Sequence, residues 1–201
     1  MRIYRTLLIL LLTVGCADKN NKVNTTEKTN QDATRLSWMT DEMVEEIKIR
    51  DEIVKNEDFE SLFSLHDDGD FSIVLHEILV NRYDKNPNDL SQVQLNLFLC
   101  MHMENAGQSD TILTFLQEWF PQYNEQVIIS LREIGAFKSS SIIKQAVELL
   151  PKDGSWFFKS SNESSEKVMM ELGRNFSSYP DGPMSILYYK YANKHRNEVV
   201  K

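Results

Sequence analysis

Between Thr111 and Pro151 the apolar residues recur at helical spacing three times in succession. Ile112, Phe115, Leu116, Trp119 and Phe120 follow the i, i+3, i+4, i+7, i+8 pattern of one helical face. Tyr123, Val127, Leu131 and Ile134 repeat it, and so do Ile142, Ala146, Leu149 and Leu150. Gly135 stands where the second segment should stop, because glycine tolerates the left-handed backbone of a helix C-terminus. Pro151 stops the third. The stretch therefore predicts three short helices whose apolar faces must meet. It carries no catalytic constellation.

The flanking segments follow the same grammar. Trp38–Lys55 is expected to be a helix capped by Thr40, with Val44, Ile47 and Val54 on its buried stripe. A short helix is expected over Asp58–Leu65, and another over Phe71–Tyr83 with Asp70 as its cap. Leu90–Glu104 is apolar nearly all round, which predicts a central, buried helix capped by Asp89 or Asn88 and ended by Asn105-Ala106-Gly107. Its Val93–Leu97 alternation also fits a strand, but Phe98-Leu99-Cys100-Met101 breaks that period. After Pro151, the adjacent rings of Trp156, Phe157 and Phe158 are expected to fold back onto the core, since solvating all three is unfavourable. Short helices over Ser165–Leu172 and Met184–Asn197 complete the chain, the latter with Leu187, Tyr188, Tyr191 and His195 inward. The predicted fold is all-α: one compact multi-helix domain of about seven to nine short helices over residues 38–201.

The amino terminus carries a different signal. Arg2 and Arg5 precede the apolar run Leu7–Leu12, and Thr13-Val14-Gly15-Cys16 resembles a bacterial lipobox. The run is too short for an ordinary membrane-spanning helix. The pattern implies that residues 1–15 form a lipoprotein signal peptide and that Cys16 is acylated, anchoring the chain to a membrane outside the cytoplasm. Residues 16–37 then form the acylated cysteine and a polar tether with almost no large apolar side chains. Losing Arg2 and Arg5 without any acid would move the formal net charge from −8 to −10. With Cys16 acylated, Cys100 has no disulfide partner and reads as a small buried hydrophobe.

An acidic balance without a basic stripe argues against nucleic-acid binding. Acids crowd the first two expected helices: Asp41, Glu42, Glu45, Glu46, Asp51, Glu52, Glu57, Asp58 and Glu60. They form either an acidic partner surface or a solvated helix face. His66-Asp67-Asp68-Gly69-Asp70 is the most metal-like string, yet Gly69 in the sixth place of a calcium loop puts Ser64 first and Leu75 last. A capped turn is expected there instead. No metal site and no cofactor are expected, as the sequence holds no glycine-rich phosphate loop, nucleophile elbow or C-x-x-C pair. His76-Glu77 and His102-x-Glu104 could each supply an acid–base pair, but His66, His76, His102 and His195 stand far apart.

The block Tyr123-x3-Val127-x3-Leu131-Arg132-Glu133-Ile134-Gly135-Ala136, then Ile142-Ile143-x2-Ala146-x2-Leu149-Leu150-Pro151, resembles the bacterial DNA-mimic protein 19 family. Leu172-Gly173-Arg174-Asn175-Phe176, Tyr179-Pro180-Asp181 and a last helix with Leu187, Tyr191 and His195 extend the likeness over about 90–199. The resemblance implies an all-α domain of unknown function. One member of that family is an acidic dimer that imitates DNA to occupy a transcription factor, and a homodimer is left open here. Family members carry an Asn-Gly-Gly-Phe turn and then a Gln-aromatic-aromatic-Asn run. This chain reads Gln108-Ser109-Asp110-Thr111-Ile112 and Thr114-Phe115-Leu116-Gln117 there, so no site residue is carried over.

The functional expectation is a lipid-anchored, non-enzymatic binding or scaffolding protein of the bacterial envelope. It would meet the membrane through Cys16 and bind a protein partner that the sequence does not identify. The alternatives are an acidic DNA mimic that occupies a DNA-binding protein, and a hydrolase using one of the His–Glu pairs.

Overall fold

Gln92–Ser109 forms the helix, here α4, around which the others pack. The computed structural model of the protein describes Leu36 and residues 38–201. Thr40–Lys201 forms one compact unit, and Met1–Met39 falls to a separate one. Along that unit run α1 (Asp41–Asn56), α2 (Phe59–Phe63), α3 (Asp68–Lys85), α4, α5 (Asn124–Glu133), α6 (Phe137–Glu148), α7 (Phe157–Ser160), α8 (Glu163–Ser177), α9 (Met184–Lys194) and α10 (Arg196–Val199). No strand occurs among the described residues. The all-α expectation holds, with seven helices of ten residues or more.

α4 is buried along most of its length, and only Gln92, Asn105, Gln108 and Ser109 near its ends are exposed. Val93, Leu97, Phe98, Leu99, Cys100 and Met103 are all in the core, covered by α3, α5, α8, α9 and α10. A helix apolar all round can be stable only in such a position. Its start lies later than expected. Pro87–Asp89 closes a single 3₁₀ turn, and Ser91 is the cap. The Gln94 N–H donates to Ser91 Oγ at 3.2 Å, and the Ser91 N–H donates to Gln94 Oε1 at 2.9 Å. This reciprocal capping box satisfies two donors that the first turn leaves open. Gln94 Nε2 also donates to the Val199 carbonyl at 2.7 Å, which fastens α10 to the start of α4.

α4 also ends later than expected, because Gly107 is a packing residue and not a stop. A methyl group there would lie 2.7 Å from the Phe176 ring of α8. Gly135 is the stop the sequence promised. At φ +91° it lets the Ala136 N–H reach the Leu131 carbonyl at 2.7 Å and its own N–H reach Arg132 at 3.0 Å. That is the double bond pattern of a Schellman end.

Four other expectations change. Asp67, not Asp70, caps α3, accepting from the Gly69 and Asp70 N–H groups. The helix starts three residues further upstream than an Asp70 cap would allow, which frees Asp70 to accept from Arg50 at 2.7 Å. Thr114–Trp119 is a π-helical turn, and its wide spacing closes with the Phe120 N–H on the Phe115 carbonyl at 3.0 Å. The last helix breaks at His195, which turns Val199 into the core. Of the three adjacent rings only Phe157 is buried, while Phe158 is exposed. Gln117 clamps that segment in both directions, donating to the Ser155 carbonyl and accepting from the Phe157 N–H.

Alanine at Gly107 and at Gly173 should act with opposite signs. Both glycines are helical, but only Gly107 faces another side chain within 4 Å. In urea unfolding, Gly173→Ala is expected to stabilise by about 1 kcal/mol. Gly107→Ala is expected to destabilise by about 1–3 kcal/mol.

Candidate functional site

Two histidines far apart in sequence meet at the interface of α3 and α4. His76 Nε2 lies 3.3 Å from His102 Nδ1, and the same nitrogen of His102 is 3.0 Å from the Phe98 carbonyl. A carbonyl only accepts, so it selects the tautomer with the proton on His102 Nδ1. That leaves His76 Nε2 as an acceptor toward the same proton. Aromatic rings enclose His102, with centroids at 4.1 Å for Phe98, 5.0 Å for Phe120 and 6.4 Å for Trp119. The π-helical turn supplies Trp119 and leads into Phe120. Burial lowers both imidazole pKa values from 6.5 to about 4, and the neighbouring His102 adds to the effect on His76. Both rings are therefore neutral at physiological pH.

Beside the pair a cleft of about 700 Å³ opens between α3, α4, α9 and the turn before α9. Ser72, Ile73 and His76 form its α3 wall, and Met101 and Glu104 its α4 floor. Tyr179, Met184 and Tyr188 close the far side. The Tyr188 hydroxyl donates to Glu104 Oε2 at 2.9 Å, and the Tyr179 hydroxyl approaches the same carboxylate. Burial raises the Glu104 pKa, and the tyrosine contacts offset only part of that rise. Burial likewise pushes the Tyr188 hydroxyl up, with the Glu104 charge adding to it, while Tyr179 rises to about 12.

The turn that carries Tyr179 is held at both ends. Tyr179 adopts φ +54°, a conformation uncommon for a bulky side chain. Two residues on, the Asp181 carboxylate accepts from the Lys138 N–H at 3.0 Å and the Ser139 N–H at 2.7 Å, capping α6 from outside. Burial raises the Asp181 pKa, but the Ser139 and Lys138 hydrogen bonds outweigh it and hold the carboxyl below its usual range.

The sequence of residues 88–195 matches the model of one family, described as DMP19-like protein. This match covers more than half of the chain. The chain belongs to the DMP19-like family. No curated protein and no solved structure matches it. The DMP19-like region runs from the turn before α4 to the break at His195. It includes Glu104, Tyr179 and Tyr188 and excludes α3, so His76 reaches the cleft from outside the matched stretch.

The structure re-pairs the residues singled out from sequence. His76 meets His102, Glu104 meets Tyr188, and Glu77 is exposed on α3. His66 is exposed before α3, and His195 contacts Glu198 at 3.2 Å. Of the nine acids, Asp41, Glu42, Glu45, Glu46, Asp51, Glu52 and Glu60 are exposed. Glu45 and Glu52 face Lys48 and Lys55 on their own helix. Glu57 pairs with Arg82 at 2.8 Å and Lys85 at 3.3 Å, and Asp58 caps α2. Cys16 lies outside the described residues. Cys100 is a buried free thiol whose pKa burial raises. No group of three or more His, Cys, Asp or Glu able to hold a metal occurs among the described residues. None of the described helices is long and apolar enough to cross a membrane. Tyr179 and Tyr188 do not stand out as site residues in the sequence: Tyr179 is marked only by the family-like Tyr-Pro-Asp string, and Tyr188 only by its place on the inward stripe of the last helix.

The two histidines and the glutamate give opposite pH signatures. The unfolded histidines take up protons near 6.5 and the folded ones only near 4, so stability is complete above the first value and lost as pH falls toward the second. Thermal melts of the His76→Gln/His102→Phe variant are expected to lose that acid dependence. Glu104 is the reverse case: its folded pKa lies above 4.5, so it lowers stability as pH rises through that window. Glu104→Gln keeps an acceptor for Tyr188 and is expected to raise the melting temperature at neutral pH.

Proposed function

We propose that this DMP19-like chain is a lipid-anchored, non-enzymatic binding protein of the bacterial cell envelope, acylated at Cys16 and facing away from the cytoplasm. The arginines, apolar run and Gly15-Cys16 of the amino terminus support the anchor. One observation carries the reading of the domain: the polar groups of the site are engaged with one another and with the backbone. His102 faces the Phe98 carbonyl, His76 faces His102, and Glu104 accepts from Tyr188. Such an arrangement fixes the shape and charge of a cleft, as recognition requires. The partner would be a protein or smaller ligand met outside the cytoplasm.

The DNA-mimic alternative needs an ordered ridge of exposed charges, because duplex DNA presents about one charge per 1.7 Å of axis. The internal bonds of Glu57 and Asp58 weaken that reading for Asp41–Glu60.

Metabolic labelling with radioactive palmitate tests the anchor. The full chain is expected to take up label in a globomycin-sensitive manner, and Cys16→Ala to take up none. Unlabelled, unprocessed chain in the soluble cytoplasmic fraction would overturn the reading and favour DNA mimicry.

A further inference from the structure

The cleft beside the histidine pair holds one carboxylate and no opposing cation. Glu104 lies on its floor, among the described residues no lysine or arginine lines it, and Glu104 forms no ion pair. Its partners are hydroxyl groups, Tyr188 from α9 and Tyr179 from the turn before it. A partly buried carboxylate bonded only by neutral donors is left electrostatically uncompensated. The other titratable groups around it are His76 on α3 and Cys100 on α4, and neither supplies positive charge at neutral pH. The nearest acid on the adjoining turn, Asp181, is occupied by the start of α6.

We propose that this cleft binds a primary ammonium group, which would pair with Glu104 and lie against the Tyr179 ring. The volume, about 700 Å³, suits a small ligand or one long side chain. Met101, Ile73 and Met184 provide an apolar wall for an alkyl stem, and Tyr179, 37% exposed, presents an aromatic ring at the mouth. A carboxylate below and an aromatic ring beside is a favourable setting for an alkylammonium. The first turn of α9 also borders the cleft at Met184 and Ser185, without a side-chain cap. Its partial positive charge is about half an elementary charge, less than the full charge of Glu104, so the carboxylate sets the sign.

Two costs point the same way. Tyr179 is held in the left-handed region, and Glu104 is partly withdrawn from water against its preference. Strain and uncompensated charge gathered in one cleft are what a binding site tolerates and a purely structural contact does not need. The inference deepens the reading of the domain as a binding module and does not depend on the anchor at Cys16. The ammonium could belong to a free alkylamine or to a lysine side chain of a peptide.

Nuclear magnetic resonance on the full chain in detergent, with labelled methionine methyls and tyrosine rings, separates these cases. The probes are n-butylammonium, a blocked lysine dipeptide, butyrate and butanol. Either ammonium probe is expected to shift Met101, Met184 and Tyr179 saturably, with butyrate and butanol silent. Glu104→Gln should weaken the effect about tenfold or more, as loss of a charge-assisted hydrogen bond does. Shifts with both ammonium probes identify a free amine as sufficient, and shifts with the dipeptide alone identify a peptide lysine. Equal binding of butyrate, unchanged affinity in Glu104→Gln, or no saturable shift at these residues would overturn the inference. Photo-crosslinking from Ile73 in native membranes then tests the wider reading. A cross-linked partner unaffected by Glu104→Gln would leave that reading standing while the ammonium inference fails.

Discussion

Burial of the stretch Val93–Met103 of α4 is the constraint on which the rest of the molecule depends. A helical stretch with no exposed residue must satisfy its polar side chains inside the protein. Asn96 does so by donating to the Tyr191 hydroxyl on α9 at 2.9 Å and accepting from Ser130 on α5 and Gln92 on α4 itself. Gln94 bonds α10, His102 meets α3, and Glu104 meets α9. The polar residues of α4 thus fix α3, α5, α9 and α10 between them. The apolar residues between them supply most of the driving force, at roughly 1.5–3 kcal/mol per fully buried large side chain. The polar ones decide which helix lies where, because a misplaced neighbour would leave a buried donor or acceptor unmade.

The candidate site follows from that arrangement. The π-helical turn at Thr114–Trp119 and the ring of Phe120 enclose His102, while the same helix presents Glu104 about half a turn further on. One side of α4 therefore holds an imidazole that burial keeps neutral, and the opposite side holds a carboxylate that burial makes costly. The Tyr179–Asp181 turn completes the cleft from the other end of the chain. Asp181 anchors it to α6, and Tyr179 hangs from that anchor toward Glu104.

Much of the fold was legible because helical periodicity is a local property. The stripes at Val127–Ile134, the stop at Gly135 and the all-round apolarity of Leu90–Glu104 each follow from residues within one or two turns. The errors came where a longer contact overrode the local signal. Gly107 reads as a stop until Phe176 of α8 is placed against it. Asp70 reads as a cap until Arg50 of α1 claims it. The helix after Pro183 reads as continuous until Val199 is drawn inward. The site was less legible. His102 and Glu104 were visible as neighbours, yet their working partners, His76, Tyr179 and Tyr188, are distant in sequence.

By itself, then, the sequence determined the helical class, the approximate segments and the family-like core, since these rest on spacing along one chain. It also carries the Gly15-Cys16 string on which the proposed lipid anchor rests. Only the tertiary structure decided which ionisable groups share an environment. That required helices α3, α4 and α9 to converge, and burial at their junction then set the imidazoles neutral and left Glu104 without a cation. Charge state depends on solvent exclusion by several elements at once, and no single stretch of sequence encodes it.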